Sequence, residues 1–164
     1  MTHAQWLARV RKSLAMVERQ PIRALASLHK IAHQLHSESK KTTGDWHIEQ
    51  TLEVISIVQS HQDDHRRSAE TILTVADRQE QQLSYYSRGF VAACATAALE
   101  FASAGDRKAA LRALQRARAV STGLRPPERL FRKAEKFVAA MPRHPAGTYP
   151  AQRRATSRGR RRLS

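Results

Sequence analysis

Apolar residues recur along the chain with a period of three to four, which is typical of amphipathic helices, in seven successive segments. The clearest pair lies within 90–120, where two alanine-rich runs flank Gly105 and Asp106. Gly105 can end the first run and Asp106 can cap the second, because glycine suits a helix C-terminus and aspartate a helix N-cap. The pattern therefore predicts a helical hairpin.

Each helix of this hairpin carries a narrow stripe made mainly of small residues, which would let the two backbones approach closely. The stripe residues are Cys94, Ala97, Ala98 and Phe101 on the first helix and Ala110, Leu114 and Ala117 on the second. We expect the two stripes to pack against each other.

Two upstream segments repeat the pattern of the second stripe, in which a small residue is followed by a large one at i+4 and another apolar one at i+7. They contain Ala24, Leu28 and Ile31 in one segment and Ala69, Leu73 and Ala76 in the other. Counted from the leading alanines, the copies are 45 and 41 residues apart. The first copy completes a hairpin of 3–18 with 21–36, and the second follows a helix that begins at Trp46. Three hairpins are predicted.

The remaining helices also have apolar faces. The predicted core residues are Trp6, Leu7, Val10, Leu14 and Val17 in the first helix, Ile48, Leu52, Ile55 and Val58 in the third, and Leu130, Phe131, Ala134, Phe137, Val138 and Met141 in a seventh helix over 127–140. The first 17 residues contain basic but no acidic side chains, which also fits a transit peptide. The apolar face favours a folded helix.

The hairpin around Gly105 resembles a tetratricopeptide repeat (TPR). With Gly105 on the family's turn glycine, the small and large positions of both helices coincide with the family pattern, although Cys94 replaces the usual tryptophan and no proline follows Val120. The resemblance implies an all-α solenoid over 1–141, with three helical hairpins and a C-terminal capping helix, that binds a protein or peptide in a concave groove. Copy spacings longer than the standard 34 residues indicate longer helices or loops.

Positive charge is concentrated at one end of the chain. Of a net charge of +15, residues 1–104 hold 12 Lys and Arg against 11 Asp and Glu, whereas 105–164 hold 17 against 3. Residues 142–164 contain seven arginines, no acid and few apolar residues, so we predict an Arg-rich tail that is disordered when unbound. An anionic partner is expected at this end: nucleic acid, acidic protein or a membrane surface.

The candidate anion-binding or nucleic-acid-binding residues lie on the sixth helix, the seventh helix and the tail. They are Lys108, Arg112, Arg116, Arg129, Arg132, Lys133, Lys136, Arg153, Arg154, Arg158, Arg160, Arg161 and Arg162. A solvated charged face is the alternative, but we expect these faces to lack interleaved acids that would form stabilising pairs. Without an aromatic stacking platform or a recognition helix, any nucleic-acid contact is expected to be with the phosphate backbone.

Tyr85, Tyr86 and Phe90 form the one tight aromatic cluster, and they are the candidate protein-binding residues. They could line a peptide groove, since tyrosine offers a large contact area at a low entropic cost. The alternative is that they pack the fifth helix against its neighbours.

Motifs for catalysis or cofactor binding are absent from the sequence: it has no glycine-rich phosphate loop, no HExxH, no paired cysteines and no Gly-x-Ser-x-Gly. We therefore expect neither an enzyme nor a bound cofactor. The single Cys94, in an apolar helix, is interpreted as a packed thiol.

Histidines provide the alternative of a metal site. His29, His33 and His36 share one helix face at i, i+4 and i+7, and His61 and His65 repeat the i, i+4 spacing. The first face lies opposite the core stripe, so surface histidines without a metal are expected.

The sequence thus predicts a non-enzymatic, cytoplasmic scaffold or adaptor with a basic C-terminal end and no membrane-spanning helix. The alternative is a sequence-nonspecific RNA- or DNA-binding protein that uses the basic helices and tail. A secretion or assembly chaperone is a weaker alternative.

Overall fold

The computed structural model describes residues 1–39, 45–81, 87–121 and 128–142. Within these ranges the chain forms seven helices and no strand, so the all-α prediction with seven helices is confirmed there. The helices are α1 His3–Leu14, α2 Pro21–Ser39, α3 Asp45–His61, α4 His65–Gln81, α5 Ser87–Ser103, α6 Arg107–Ser121 and α7 Glu128–Ala140. Tyr85, Tyr86 and the tail from residue 143, including its six candidate arginines, lie outside the described residues.

Helices that follow one another in the chain are also neighbours in space, and in addition α1 contacts α3 and α5 contacts α7. Two clusters of buried side chains result. One joins α4, α5, α6 and α7, and the other joins α1, α2 and α3. Leu52 on α3 packs against both clusters, so the core is continuous through the third helix.

The turns after α3 and α5 have the same construction. Asp63 and Gly105 adopt positive φ angles of 58° and 78°. The next residue in each turn, Asp64 or Asp106, donates its backbone N–H to the carbonyl five residues earlier, at 3.0 and 2.8 Å. Its carboxylate then accepts a bond from the N–H three residues later, at 3.4 and 2.9 Å. The predicted roles of Gly105 and Asp106 are confirmed.

The equivalent turn residues, Asp63 and Gly105, show that the second and third hairpins repeat after 42 residues, whereas the predicted spacing was 41. Counted from Asp63 and Gly105, the buried Ile72 of α4 is the equivalent of Leu114 of α6. The predicted Leu73 is only half-buried, because it lies one residue further round the helix. The stripes of α2 and α6 are buried as predicted.

Small buried side chains lie between paired helices. Ser56 of α3 and Ser68 of α4 are buried, and their hydroxyl oxygens are 2.9 Å apart. Ser13 of α1 is buried and its hydroxyl donates to that of Ser27 of α2 at 2.8 Å. Counted from the turns, Ser56 and Ser68 correspond to Ala98 and Ala110, which are fully buried. The close approach predicted from the alanines therefore extends to serines, whose hydroxyls bond to each other.

Two residues predicted in the core are instead exposed. Helix α1 ends at Leu14 and not at residue 18; the Leu14 side chain is 42% exposed, and Ser13 takes the buried position. Phe137 of α7 is 46% exposed, because Phe131, Ala134 and Val138 already form the stripe that faces the core. Phe137 is turned from Val138 by about 100° around the helix.

Candidate binding surfaces

A groove of about 620 Å³ lies between α2 and α4 and reaches the end of α3. Its lining combines apolar, hydroxyl, amide and charged side chains. The lining residues are Ile22, Leu25, His29, Gln59, Gln62, Asp64, Arg67, Glu70, Thr71 and Thr74. We call this the α2–α4 groove.

The α2–α4 groove offers one apolar contact and one unpaired donor. Ile22, the second residue of α2, is 81% exposed. Nε2 of Gln62 is buried and has no hydrogen-bond partner among the described residues. Gln59 is buried, and its Oε1 accepts a bond from the Thr71 hydroxyl at 2.8 Å. An extended peptide has the complementary groups, an apolar side chain and backbone carbonyls.

The sequence pattern did not indicate the α2–α4 groove, because its residues come from three separate helices and the turn after α3. One available signal was Ile22, a large apolar residue outside the stripe formed by Ala24, Leu28 and Ile31. The charges in the groove are of both signs: Arg67 pairs with Asp64 at 3.4 Å, and Glu70 pairs with Arg66 at 3.5 Å.

The aromatic residue predicted to bind a protein, Phe90, lies in the core. The guanidinium carbon of Arg116 is 5.3 Å from the centre of its ring. The packing interpretation is therefore correct for Phe90, which offers no surface for a peptide.

Arg116 connects three helices and does not lie on an open basic face. Its guanidinium bonds to Asp77 at 2.8 Å and to Glu80 at 2.7 Å, both on α4, while it covers Phe90 on α5. Burial lowers the pKa of Arg116, but the bonds to Asp77 and Glu80 more than offset this and leave it above its ordinary value. The expectation that the basic face lacks acidic partners fails here, because α4 supplies them.

Three further basic residues of α6 divide into two groups. Arg118 bonds to Glu135 of α7 at 2.6 Å and so links the two helices. Lys108 and Arg112 are exposed, and the described residues offer them no carboxylate partner.

The four predicted basic residues of α7, Arg129, Arg132, Lys133 and Lys136, are exposed. With Phe137 and Ala140 they line a shallow groove of about 510 Å³, which we call the α7 face. No carboxylate in the described part of the chain pairs with Lys133 or Lys136. The exposed ring of Phe137 is the aromatic element that the sequence pattern had assigned to the core.

The three histidines proposed as an alternative metal site, His29, His33 and His36, are exposed on α2. His61 is also exposed, whereas His65 lies 2.9 Å from Glu100, which accepts a bond from Ser60 at 3.0 Å. Within the described ranges, no three or more His, Cys, Asp or Glu residues are grouped so that they could hold a metal ion.

A cluster that sequence analysis missed joins the N-terminal ends of α1 and α3. It consists of His3, Trp6, Trp46 and His47, with ring centres 4.9 to 6.0 Å apart. Nδ1 of His3 lies 3.0 Å from Nε2 of His47. Burial, and then the charges of His3 and the N-terminus, lower the pKa of His47. The two segments are at least 40 positions apart in the chain, so no local pattern indicates the cluster.

The thiol of Cys94 is fully buried, and this burial raises its pKa to about 11. A thiol with that pKa is almost entirely protonated at neutral pH, and the thiolate is the reactive form. The packed thiol expected from the sequence is what the structure shows.

Comparison with models of protein families, with curated proteins and with solved structures finds no match for this chain. None of the helices within the described ranges is both long enough and apolar enough to cross a membrane.

Proposed function

We propose that the protein is a non-enzymatic scaffold, in which three TPR-like hairpins and the capping helix α7 form a short α-solenoid. It binds an extended peptide of a partner protein, while its basic C-terminal end contacts an anionic partner. The solenoid is supported by the sequential packing of the helices and by the matching turns at Asp63 and Gly105. A cytoplasmic location belongs to the same proposal and is supported by the single cysteine.

The observation that carries the peptide-binding part is the unpaired Gln62 amide in the α2–α4 groove. A buried donor without a partner costs roughly 1–3 kcal/mol, and a peptide carbonyl would recover this cost when the Gln62 side chain turns outward into the groove to donate to it. Ile22, exposed on the same groove, would cover an apolar side chain of the peptide. We therefore place the partner in the α2–α4 groove and not near the buried Phe90.

The test compares Ile22→Glu with a matched control, Ile57→Glu. Ile57 of α3 is 56% exposed and does not line the α2–α4 groove, so both variants place a carboxylate at an exposed isoleucine. Tagged proteins are purified from the native cell after nuclease treatment, and the bound proteins are compared by quantitative mass spectrometry. A partner retained by the wild type and by Ile57→Glu should be lost from Ile22→Glu.

A Gln62→Leu variant provides the second arm, since it removes the donor and keeps a side chain of similar length. The same partner should bind it more weakly. Recovery of identical proteins with the wild type, Ile22→Glu and Gln62→Leu would refute a peptide site in the α2–α4 groove.

A further inference from the structure

The α7 face combines cations with an exposed aromatic ring. Its side chains are two arginines, two lysines, Phe137 and Ala140. We propose that it binds single-stranded nucleic acid, with Phe137 stacked on a base and the lysines and arginines on phosphates. This identifies the anionic partner of the basic end and therefore rests on the proposed function.

The hydrogen-bonding groups of the α7 face indicate the class of ligand. Lysine and arginine side chains are donors without any acceptor, and the phenylalanine and alanine side chains have neither. Lys133 and Lys136, with which no described carboxylate pairs, require a ligand that supplies acceptors, as phosphate oxygens do. Arginine and lysine can also donate to guanine, but phosphate contacts and stacking on a ring are available to every nucleotide, so binding should depend little on sequence.

The position of Phe137 favours a nucleic acid over an acidic protein. Phe137 is 46% exposed among four exposed cations, although an aromatic ring is usually placed in the core. Ala140, one helical turn further on, is too small to cover the ring. A base can stack on an exposed aromatic side chain, and such stacking contributes to affinity for every base.

The spacing of the cations and the aromatic ring suits a strand that runs along the helix. Arg129, Lys133 and Phe137 are four residues apart, so each is displaced by about 6 Å from the last along the axis of α7. In a duplex the base faces are already stacked on one another, so the contribution of Phe137 is available only to an unpaired strand. We therefore expect a preference for single strands over duplexes.

The experiment measures fluorescence anisotropy of the full-length protein with four labelled probes. They are a 20-nucleotide oligothymidine, an oligomer of equal length and charge that lacks bases, a 20-base-pair duplex, and polyglutamate. Phe137→Ala is compared with Ile57→Ala, which truncates an exposed apolar side chain outside the α7 face. Circular dichroism checks that both variants fold.

We expect Phe137→Ala to weaken binding of oligothymidine about tenfold, as for the loss of one stacked base, and to leave binding of the base-free oligomer unchanged. Phe137→Trp should restore the affinity, and Ile57→Ala should not alter it.

A Lys133→Gln, Lys136→Gln variant should lower the slope of log affinity against log salt by up to about 1.4, since each single-strand phosphate contact contributes about 0.7.

Two results would overturn the inference and leave the basic end with another ligand. One is equal binding of the base-free oligomer and oligothymidine, with no effect of Phe137→Ala. The other is tighter binding of polyglutamate than of oligothymidine, which would indicate an acidic protein. If no anionic probe binds at ~50 mM salt, the basic-end part of the proposed function fails as well.

Discussion

At the scale of single residues, the conformation of the turns is the clearest determinant of local stability. Asp63 and Gly105 occupy equivalent positions with positive φ, but only glycine adopts this conformation without a steric cost. The side chain of Asp63 is almost fully exposed, and its carboxylate lies at a long distance, 3.9 Å, from the ring of His65. The aspartate therefore gives little stabilisation in return for its backbone strain.

We predict that substitutions at these two turns have opposite effects on the free energy of unfolding. Asp63→Gly should raise the free energy of unfolding by about 0.5–1 kcal/mol, because it relieves the left-handed conformation. Gly105→Ala should lower it by about 1 kcal/mol, and only through the backbone, since nothing lies within 4 Å of the added Cβ. Urea denaturation followed by circular dichroism measures both. A loss of stability in Asp63→Gly would contradict the shared turn geometry.

We predict that acidification destabilises the fold through His47. Its pKa is below the ordinary value of 6.5, first because of burial and then because of the charges of His3 and the N-terminus. As the pH falls, His47 therefore takes up a proton at a higher pH in the unfolded chain than in the folded chain. By linkage, stability is retained above about pH 6.5 and decreases as the pH falls below it.

The measurement is the urea midpoint of the wild type and of His47→Gln between pH 7.5 and 5.5. The variant should lose less stability on acidification than the wild type. His33→Gln, which replaces an exposed histidine of α2, serves as the control and should follow the wild type. Parallel pH profiles for His47→Gln and the wild type would contradict the role of His47.

At the scale of the helices, the charged residues of α6 have two different roles. Arg116 joins α6 to α4 through two carboxylates and covers Phe90, whereas Arg112, one turn earlier, is exposed without a described ionic partner. A helical-wheel pattern places both on the same face, because it takes no account of what the neighbouring helix contributes. The fold therefore separates residues that the sequence treats alike.

We expect Arg116→Ala to lower the free energy of unfolding by about 1–2 kcal/mol. The two partly exposed ion pairs contribute about 0.2–1 kcal/mol each. The interaction with the aromatic ring adds about 0.5–1 kcal/mol. Arg112→Ala is the matched control on the same helix and should change stability by less than about 0.5 kcal/mol. Equal stability of the two variants in urea denaturation would show that the link from α6 to α4 contributes little.

At the scale of the whole molecule, the periodic pattern predicts the number of helices and most of the core, because buried faces repeat locally every three to four residues. The residues it misplaced, Leu14, Leu73 and Phe137, lie at the edges of apolar stripes, where one residue of register decides exposure. Sites built from distant segments were not predictable in this way. The pairing of Arg116 with α4, the α2–α4 groove and the cluster at His47 all depend on how helices meet.

A chain cut after Met141 lacks seven arginines but keeps the α7 face. All buried residues of the described chain precede the cut, and the last of them is Val138. The thermal unfolding midpoint of the truncated chain should therefore equal that of the full chain. Affinity for oligothymidine should fall and depend less on salt, because every phosphate that the tail no longer neutralises lowers the slope by about 0.7. Binding of the partner that depends on Ile22 should persist.

Combining the truncation with Phe137→Ala separates the contributions of the tail and the α7 face. If both bind the same strand without interacting with each other, the two decreases in binding free energy should add to within about 0.5 kcal/mol. A truncated chain that binds oligothymidine as tightly as the full chain would assign the whole interaction to the helices. A truncated chain that binds no oligothymidine, even at ~50 mM salt, would show that the α7 face alone is insufficient and that the arginines after Met141 are responsible for binding.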